Sequence, residues 1–201
     1  EIPLRLVGSE MCIRDRGKRM KTNKPKVLCS VIGEPMLEWV LTACENADIN
    51  DICVVKGYES AQIDKFLEER SSRAEVSSVL QEEQLGTGHA VMQAREFLEE
   101  HKDGNTLVLC GDAPFIDADT ISSALELHKS KSCSVTVVTS RVEDPSGYGR
   151  LIRNENGISG IVEHKDCNPM QLAITEVNSG CYWFNTADLL DVLFELKPEN
   201  A

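Results

Sequence analysis

The sequence predicts an α/β fold: a doubly wound, mostly parallel sheet followed by a smaller mixed β lobe. Two observations predict it. Between residues 35 and 140, short apolar runs alternate with segments of helical period, the pattern of successive βα units. After residue 140 turn signals crowd "EDPSGYGR" and "RNENGISG", and only short strand-like runs follow.

The elements follow in order. "PMLEWVLTACENA" (35–47) places apolar residues at 36, 37, 40, 41 and 44 behind a leading proline, a helix. "DICVVKG" (51–57) is an apolar strand closed by glycine. "SAQIDKFLEER" (60–70) is a helix with Ile63, Phe66 and Leu67 on one face, and "EVSSVLQ" (75–81) is a strand. "GHAVMQAREFLEEH" (88–101) is expected to form one helix, and "NTLVLCGD" (105–112) a strand ending in a carboxylate. "ADTISSALELHKSK" (118–131) is a helix and "SVTVVTS" (134–140) a β-branched strand. In the smaller lobe "GIVEH" and "EVNSGCYWFN" read as strands, and "TADLLDVLFEL" (186–196) as a final helix.

Composition narrows the function. A formal charge of −12 argues against a nucleic-acid partner and gives no support for docking on an anionic membrane. No run approaches the ~18 apolar residues of a membrane span. Eight cysteines are scattered without a C-x-x-C pair, so a zinc site is disfavoured and a reducing, cytoplasmic setting is the simplest.

Ligands of open α/β sheets sit at the carboxyl ends of the strands, and three features fall at such ends. In "GKRMKTNKPKVL" (17–28), Lys18, Arg19, Lys21, Lys24 and Lys26 put five positive charges in nine residues of an acidic chain. Such a loop suits a triphosphate; on charge alone a solvated surface turn is the plainer reading. In "VLQEEQLGTGHAVMQA" (79–94), the Gln81 amide offers both donor and acceptor to a base edge, and Gly86 and Gly88 let backbone approach a flat ring. Thr87 is the candidate cap of the following helix; a plain strand–loop–helix connection is the alternative. His89, with no nucleophile beside it in sequence, reads as structural. In "LVLCGDAPFI" (107–116), Asp112 follows a buried strand, which suits a ligand of Mg²⁺ or an Asx turn. Together these point to nucleotide chemistry with a divalent ion. Neither a Walker A sequence nor G-x-S-x-G is present.

In this order and spacing, "RMKTNKPKVL", "LQEEQLGTGHAV", "CGDAPFI", "DPSGYGRLIRNENGISGIVEHKD" and "EVNSGCYWF" carry a resemblance. Over residues 17–201 the chain resembles the pyrophosphorylase (uridylyltransferase) domain of the bacterial bifunctional UDP-N-acetylglucosamine pyrophosphorylase / glucosamine-1-phosphate N-acetyltransferase, within the MobA-like nucleotidyltransferase superfamily. The resemblance implies the Rossmann-like sheet of the sugar nucleotidyltransferases. It implies transfer of UMP from UTP to N-acetylglucosamine-1-phosphate, giving UDP-N-acetylglucosamine and pyrophosphate for peptidoglycan and lipopolysaccharide precursors. Arg19 and Lys26 would act on the triphosphate; Gln81, Gly86 and Thr87 would recognise uracil. Cys110, Gly111 and Asp112 would lie along the nucleotide, with Asp112 on Mg²⁺. Gly149, Glu163 and Asn178 would hold the sugar and ribose side, and Lys165 would lie near the phosphates.

The chain also departs from that pattern. Residues 1–16, "EIPLRLVGSEMCIRDR", are expected to be a non-family segment; "SEMCIRDR" resembles translated adapter sequence. They replace the family's first strand and glycine turn, with "PLRLV" the candidate for the strand slot. Residues 17–201 are expected to be an incomplete nucleotidyltransferase domain, truncated at the C-terminus, with the second metal ligand beyond residue 201. The β-helix domain that carries the acetyltransferase and trimerises the family is absent from this sequence. Two alternatives stand beside the main reading: a fragment that binds uridine nucleotide without turnover, and a nucleotidyltransferase for another sugar phosphate.

Overall fold

The structure is a computed structural model that describes residues 5–8, 24–57, 60–83, 85–155, 157–193 and 195. Arg19, with Lys18 and Lys21, lies outside the described residues. The chain divides into two compact units: residues 1–136 with 183–201, and residues 137–182.

The first unit holds the parallel sheet. Its strands are β1 (Arg5–Gly8), β4 (Asp51–Lys56), β5 (Glu75–Leu80) and β6 (Asn105–Cys110), in the spatial order β5-β4-β1-β6. Residues 5–8 thus take the predicted strand slot, parallel to β4 on one side and β6 on the other. β4 and β6 are buried along nearly their whole length, through Ile52, Cys53, Val54 and Val55 and through Leu107, Val108, Leu109 and Cys110. Continuous apolar runs of this kind are what a strand covered on both faces requires. β5 alternates between exposed and half-buried residues, as suits its place at the end of the strand order.

Helices α1 (Met36–Asn46), α2 (Ser60–Glu69), α3 (Thr87–Gln93), α4 (Arg95–Glu100), α5 (Ala118–Ser130) and α7 (Thr186–Leu193) belong to this unit. α1 packs on α5, α3 on β1 and β4, and α4 on α7. The short strands β2 (Ser30–Val31) and β3 (Glu34–Pro35) form a hairpin before α1. The single helix expected over 88–101 is two helices. At Ala94 (φ −92°, ψ 20°) the amide bonds Val91 O at 3.1 Å, one residue short of the α-helical partner. No glycine or proline marks that break.

A buried ion cluster ties α1 to the connection between α2 and β5. Arg70 Nη1 meets Glu45 Oε1 at 2.6 Å, and its Nε meets Glu38 Oε2 at 3.0 Å. The Ser72 hydroxyl and the Arg73 amide also donate to Glu45 Oε1, at 2.6 and 3.2 Å. Burial by itself would push the Glu45 carboxyl up; Arg70, Ser72 and Arg73 outweigh it and hold it at about 2.

The second unit is mostly antiparallel. β8 (Arg150–Asn154) and β9 (Gly157–Val162) form a bulged hairpin, and β8 pairs with β10 (Glu176–Asn185) at Arg150 and Val177. A short helix, α6 (Pro169–Leu172), sits behind a capping box made by Asn168 and Gln171. The chain enters and leaves this unit within β7 (Val135–Arg141) and β10.

Candidate functional site

Sheet register sets the first group of predicted residues. Leu80 pairs with Lys56 at the carboxyl ends of β5 and β4. Gly8 pairs with Val55 on one side and Cys110 on the other. Gln81, whose amide bonds Lys56 O at 2.8 Å, and Asp112, two residues past β6, therefore share the carboxyl edge. Three strand spacings separate β5 from β6, about 14 Å, so one elongated ligand could lie along that edge.

At the β6 end, Asp112 receives a cation. Lys26, on a short 3-10 turn (Lys26–Leu28), brings Nζ to 2.6 Å from Asp112 Oδ2. The Lys26 side chain is 44% exposed and that of Asp112 22%, so both can meet a ligand. Asp112 does not cap the next helix; that role falls to Asp117, which accepts from Thr120 N at 2.7 Å. Asp112 is instead engaged by Lys26. Gly111 is buried beside it. The Cys110 thiol is pushed up to about 12 by burial and by the Asp112 charge, against Lys26. It is protonated at neutral pH and is no nucleophile.

At the β5 end, Gln81 is buried. Its Nε2 donates to Gly86 O at 3.3 Å and lies 3.0 Å from His89 Nδ1. Gly86, at φ +106°, occupies the cap position of α3, and its carbonyl accepts from Ala90 N at 3.0 Å. Only glycine adopts that backbone freely. Thr87 is the first helical residue, so the capping role expected of it belongs to Gly86.

In the second unit Gly149, Glu163 and Asn178 come together. Asn178 N donates to Gly149 O at 2.9 Å. A Cβ on Gly149 would stand 2.9 Å from Ile161 Cγ2, 3.2 Å from Glu163 Oε1 and 3.7 Å from Asn178 Cβ. The Asn178 side chain is fixed at both ends: Nδ2 donates to the Tyr182 hydroxyl, and Oδ1 accepts from Gly180 N at 3.1 Å. Glu163 and Lys165 are exposed. Sequence reasoning missed Tyr182, the brace for Asn178; spacing of i, i+4 along a strand carries no such signal.

Among the described residues, no cluster of three or more His, Cys, Asp or Glu side chains could hold a metal ion. A single carboxylate, Asp112, stands beside Lys26. That donor set fits an ion held by one carboxylate and a ligand's phosphates. No described helix is long and apolar enough to cross a membrane.

Comparison with known proteins gives the family of the chain. Among curated proteins, the chain is 44% identical over 186 residues to a bifunctional protein GlmU of Clostridium perfringens, spanning 92% of this chain and 40% of that protein. It is 41% identical to a bifunctional protein GlmU of Acetivibrio thermocellus, over 92% of this chain and 39% of that protein. The chain thus spans about two fifths of the length of these relatives. A crystal structure of UDP-glucose pyrophosphorylase complexed with UDP-glucose shares the fold, with a TM-score of 0.78 at 18% identity over 98% of this chain and 81% of that one. The model of the nucleotidyl transferase family matches residues 20–201. With that match running through both the Lys26–Asp112 edge and the Gly149–Asn178 patch, the chain belongs to the nucleotidyl transferase family.

Proposed function

We propose that this chain is the catalytic part of a uridylyltransferase that moves UMP from UTP to N-acetylglucosamine-1-phosphate, releasing pyrophosphate and UDP-N-acetylglucosamine. The observation that carries the reading is the edge on which Lys26 and Asp112, 2.6 Å apart, stand in line with the Gln81–Gly86 loop. A cation, a carboxylate and a ring-sized glycine loop along one carboxyl edge suit a nucleoside triphosphate with a divalent ion. Identity to bifunctional proteins named GlmU supports uridine and N-acetylglucosamine as the substrates and cell-envelope precursors as the use.

The roles follow from the chemistry. The phosphate of N-acetylglucosamine-1-phosphate is itself a competent nucleophile, so no general base is required. The protein must align attacking and leaving groups and screen charge. Lys26, and Arg19 by resemblance, stabilise the charge that develops as pyrophosphate departs. Gln81, Gly86 and Thr87 hold uracil, and Cys110 and Gly111 line the nucleotide. Gly149, Glu163 and Asn178 take the sugar side, with Lys165 near the phosphates. Asp112 would hold Mg²⁺, which supplies neutralisation of phosphate charge when bound. We place the protein in the cytoplasm, supported by the free thiols of Cys29, Cys53, Cys133 and Cys167.

Calorimetry with UTP tests this reading. UTP is expected to bind only with Mg²⁺ present, and Asp112→Asn to raise the Mg²⁺ concentration required by at least ~10-fold, since a neutral amide is a weaker ligand for a hard cation. Binding that ignores both Mg²⁺ and the substitution would contradict it. Gly149→Ala tests the sugar side. The added methyl meets Ile161 and Glu163, an overpacking of about 1–3 kcal/mol. The expected result is a KM for the sugar phosphate raised by about tenfold, with a smaller rise in the KM for UTP, whose ribose lies on the same side.

A further inference from the structure

We infer that His89 sets the hydrogen-bonding polarity of Gln81 and so makes this loop select a ring that presents an N–H, as uracil does, over one that presents a bare ring nitrogen, as cytosine does. The inference rests on the reading of this loop as the base site. The Gly86 carbonyl fixes the orientation of the Gln81 side-chain amide. It can only accept, so the Gln81 atom 3.3 Å from it must be the amide nitrogen. The same nitrogen lies 3.0 Å from His89 Nδ1. One amide hydrogen goes to Gly86 O and the other to Nδ1, which must therefore carry a lone pair. Both Gln81 donors are then spent inside the protein, and the buried side chain has only its carbonyl oxygen to offer a ligand.

A neutral ring with a bare Nδ1 carries its proton on Nε2. Gln93 Nε2 lies 3.2 Å from that Nε2 and also 3.2 Å from His89 O. Two amide nitrogens therefore flank one ring that can accept from only one of them. Gln81 is buried and tied to Gly86, whereas Gln93 is only half-buried and can exchange its ring contact for water. The conflict resolves at Gln93, and Gln81 keeps its orientation. The oxygen thus offered accepts from an N–H on the ring edge; against a ring nitrogen that is itself an acceptor it meets two lone pairs face to face. His89 is a positioning residue, since it acts through Gln81.

Two measurements on the full chain test this. Nitrogen-15 shifts of labelled histidine, at a pH where the imidazole is neutral, report the His89 tautomer without ligand. The expected form has the proton on Nε2; a proton on Nδ1 would overturn the inference. Calorimetry with UTP and with CTP, in Mg²⁺, then compares the unsubstituted chain with His89→Leu and His89→Asn. His89→Leu is expected to narrow the UTP-over-CTP preference by ~10–100-fold. His89→Asn, whose Oδ1 can accept in place of Nδ1, should restore most of it. An unchanged ratio in His89→Leu, or no rescue by His89→Asn in a chain of native circular dichroism, would overturn the role of His89 while leaving the base site standing. If the unsubstituted chain binds neither nucleotide, the base-site reading falls and this inference with it. The tautomer is read on the unsubstituted chain, so the test survives a His89→Leu variant that fails to fold.

Discussion

Lys26→Ala is expected to lower kcat for sugar-nucleotide formation by ~10²–10³-fold, the scale of losing one preorganised group that stabilises transition-state charge. The reason is position. Lys26 stands on a short turn with its ammonium against Asp112, at the end of β6 where phosphates would lie. Pyrophosphate departs with negative charge that water would otherwise have to solvate, and a fixed cation costs no reorganisation at that moment. The fold should be spared. The Lys26 side chain is 44% exposed, and an exposed pair contributes at most about 1 kcal/mol. Lys26→Arg should recover part of the rate, because it keeps the charge but not the compact shape of an ammonium. Steady-state kinetics beside a thermal melt separate the two effects. Near-normal turnover in a folded Lys26→Ala chain would remove Lys26 from the machinery.

Arg70→Ala is expected to destabilise the protein by about 3–5 kcal/mol, because it takes from the buried Glu45 carboxylate its closest countercharge and leaves only the exposed Arg73 at 4.0 Å. For a chain of this size that is a fall in melting temperature of roughly 10 °C or more. The effect should depend on pH, with a definite sign. The Glu45 carboxyl is held at about 2 in the folded protein, below its ordinary value of 4.5. Its contribution to stability is therefore fully present above about pH 4.5 and is lost as pH falls toward 2. Once Glu45 is protonated, Arg70 keeps only its pair with Glu38. The gap between native and variant should thus be widest near neutral pH and should narrow as pH falls through that window. Urea denaturation at neutral pH and near pH 3 measures this. A gap that widened on acidification would show that Arg70 acts by packing rather than by pairing.

Much of this architecture is legible in the residues because parallel strands announce themselves. The apolar runs of β4 and β6 and the helical period of α1 fall where predicted. Three things are not legible. The break at Ala94 involves no glycine or proline; it is one local hydrogen bond to Val91 that no residue type signals. The Arg70 cluster joins residues 25 and 32 positions apart, and solvent exposure cannot be read for a charged side chain beside other charges. The site was legible as residue types on strand ends, but not as pairs. Asp112 was visible, and its meeting with Lys26, 86 positions away, was not. His89 was read as structural. Its ring lies against Gln81, eight positions away, an approach that no residue type signals and that turns on the positive φ of Gly86.

Transfer of UMP to a sugar phosphate releases one pyrophosphate for each sugar nucleotide formed. The most direct measurement is pyrophosphate release by this chain with UTP and Mg²⁺, run in parallel with the 1-phosphates of N-acetylglucosamine, glucosamine, glucose and galactose. The expected result is release that depends on N-acetylglucosamine-1-phosphate, with UDP-N-acetylglucosamine formed in equal amount and little product from the other three. Release that is faster with another sugar phosphate, or a folded chain that releases none with any of them, would contradict it.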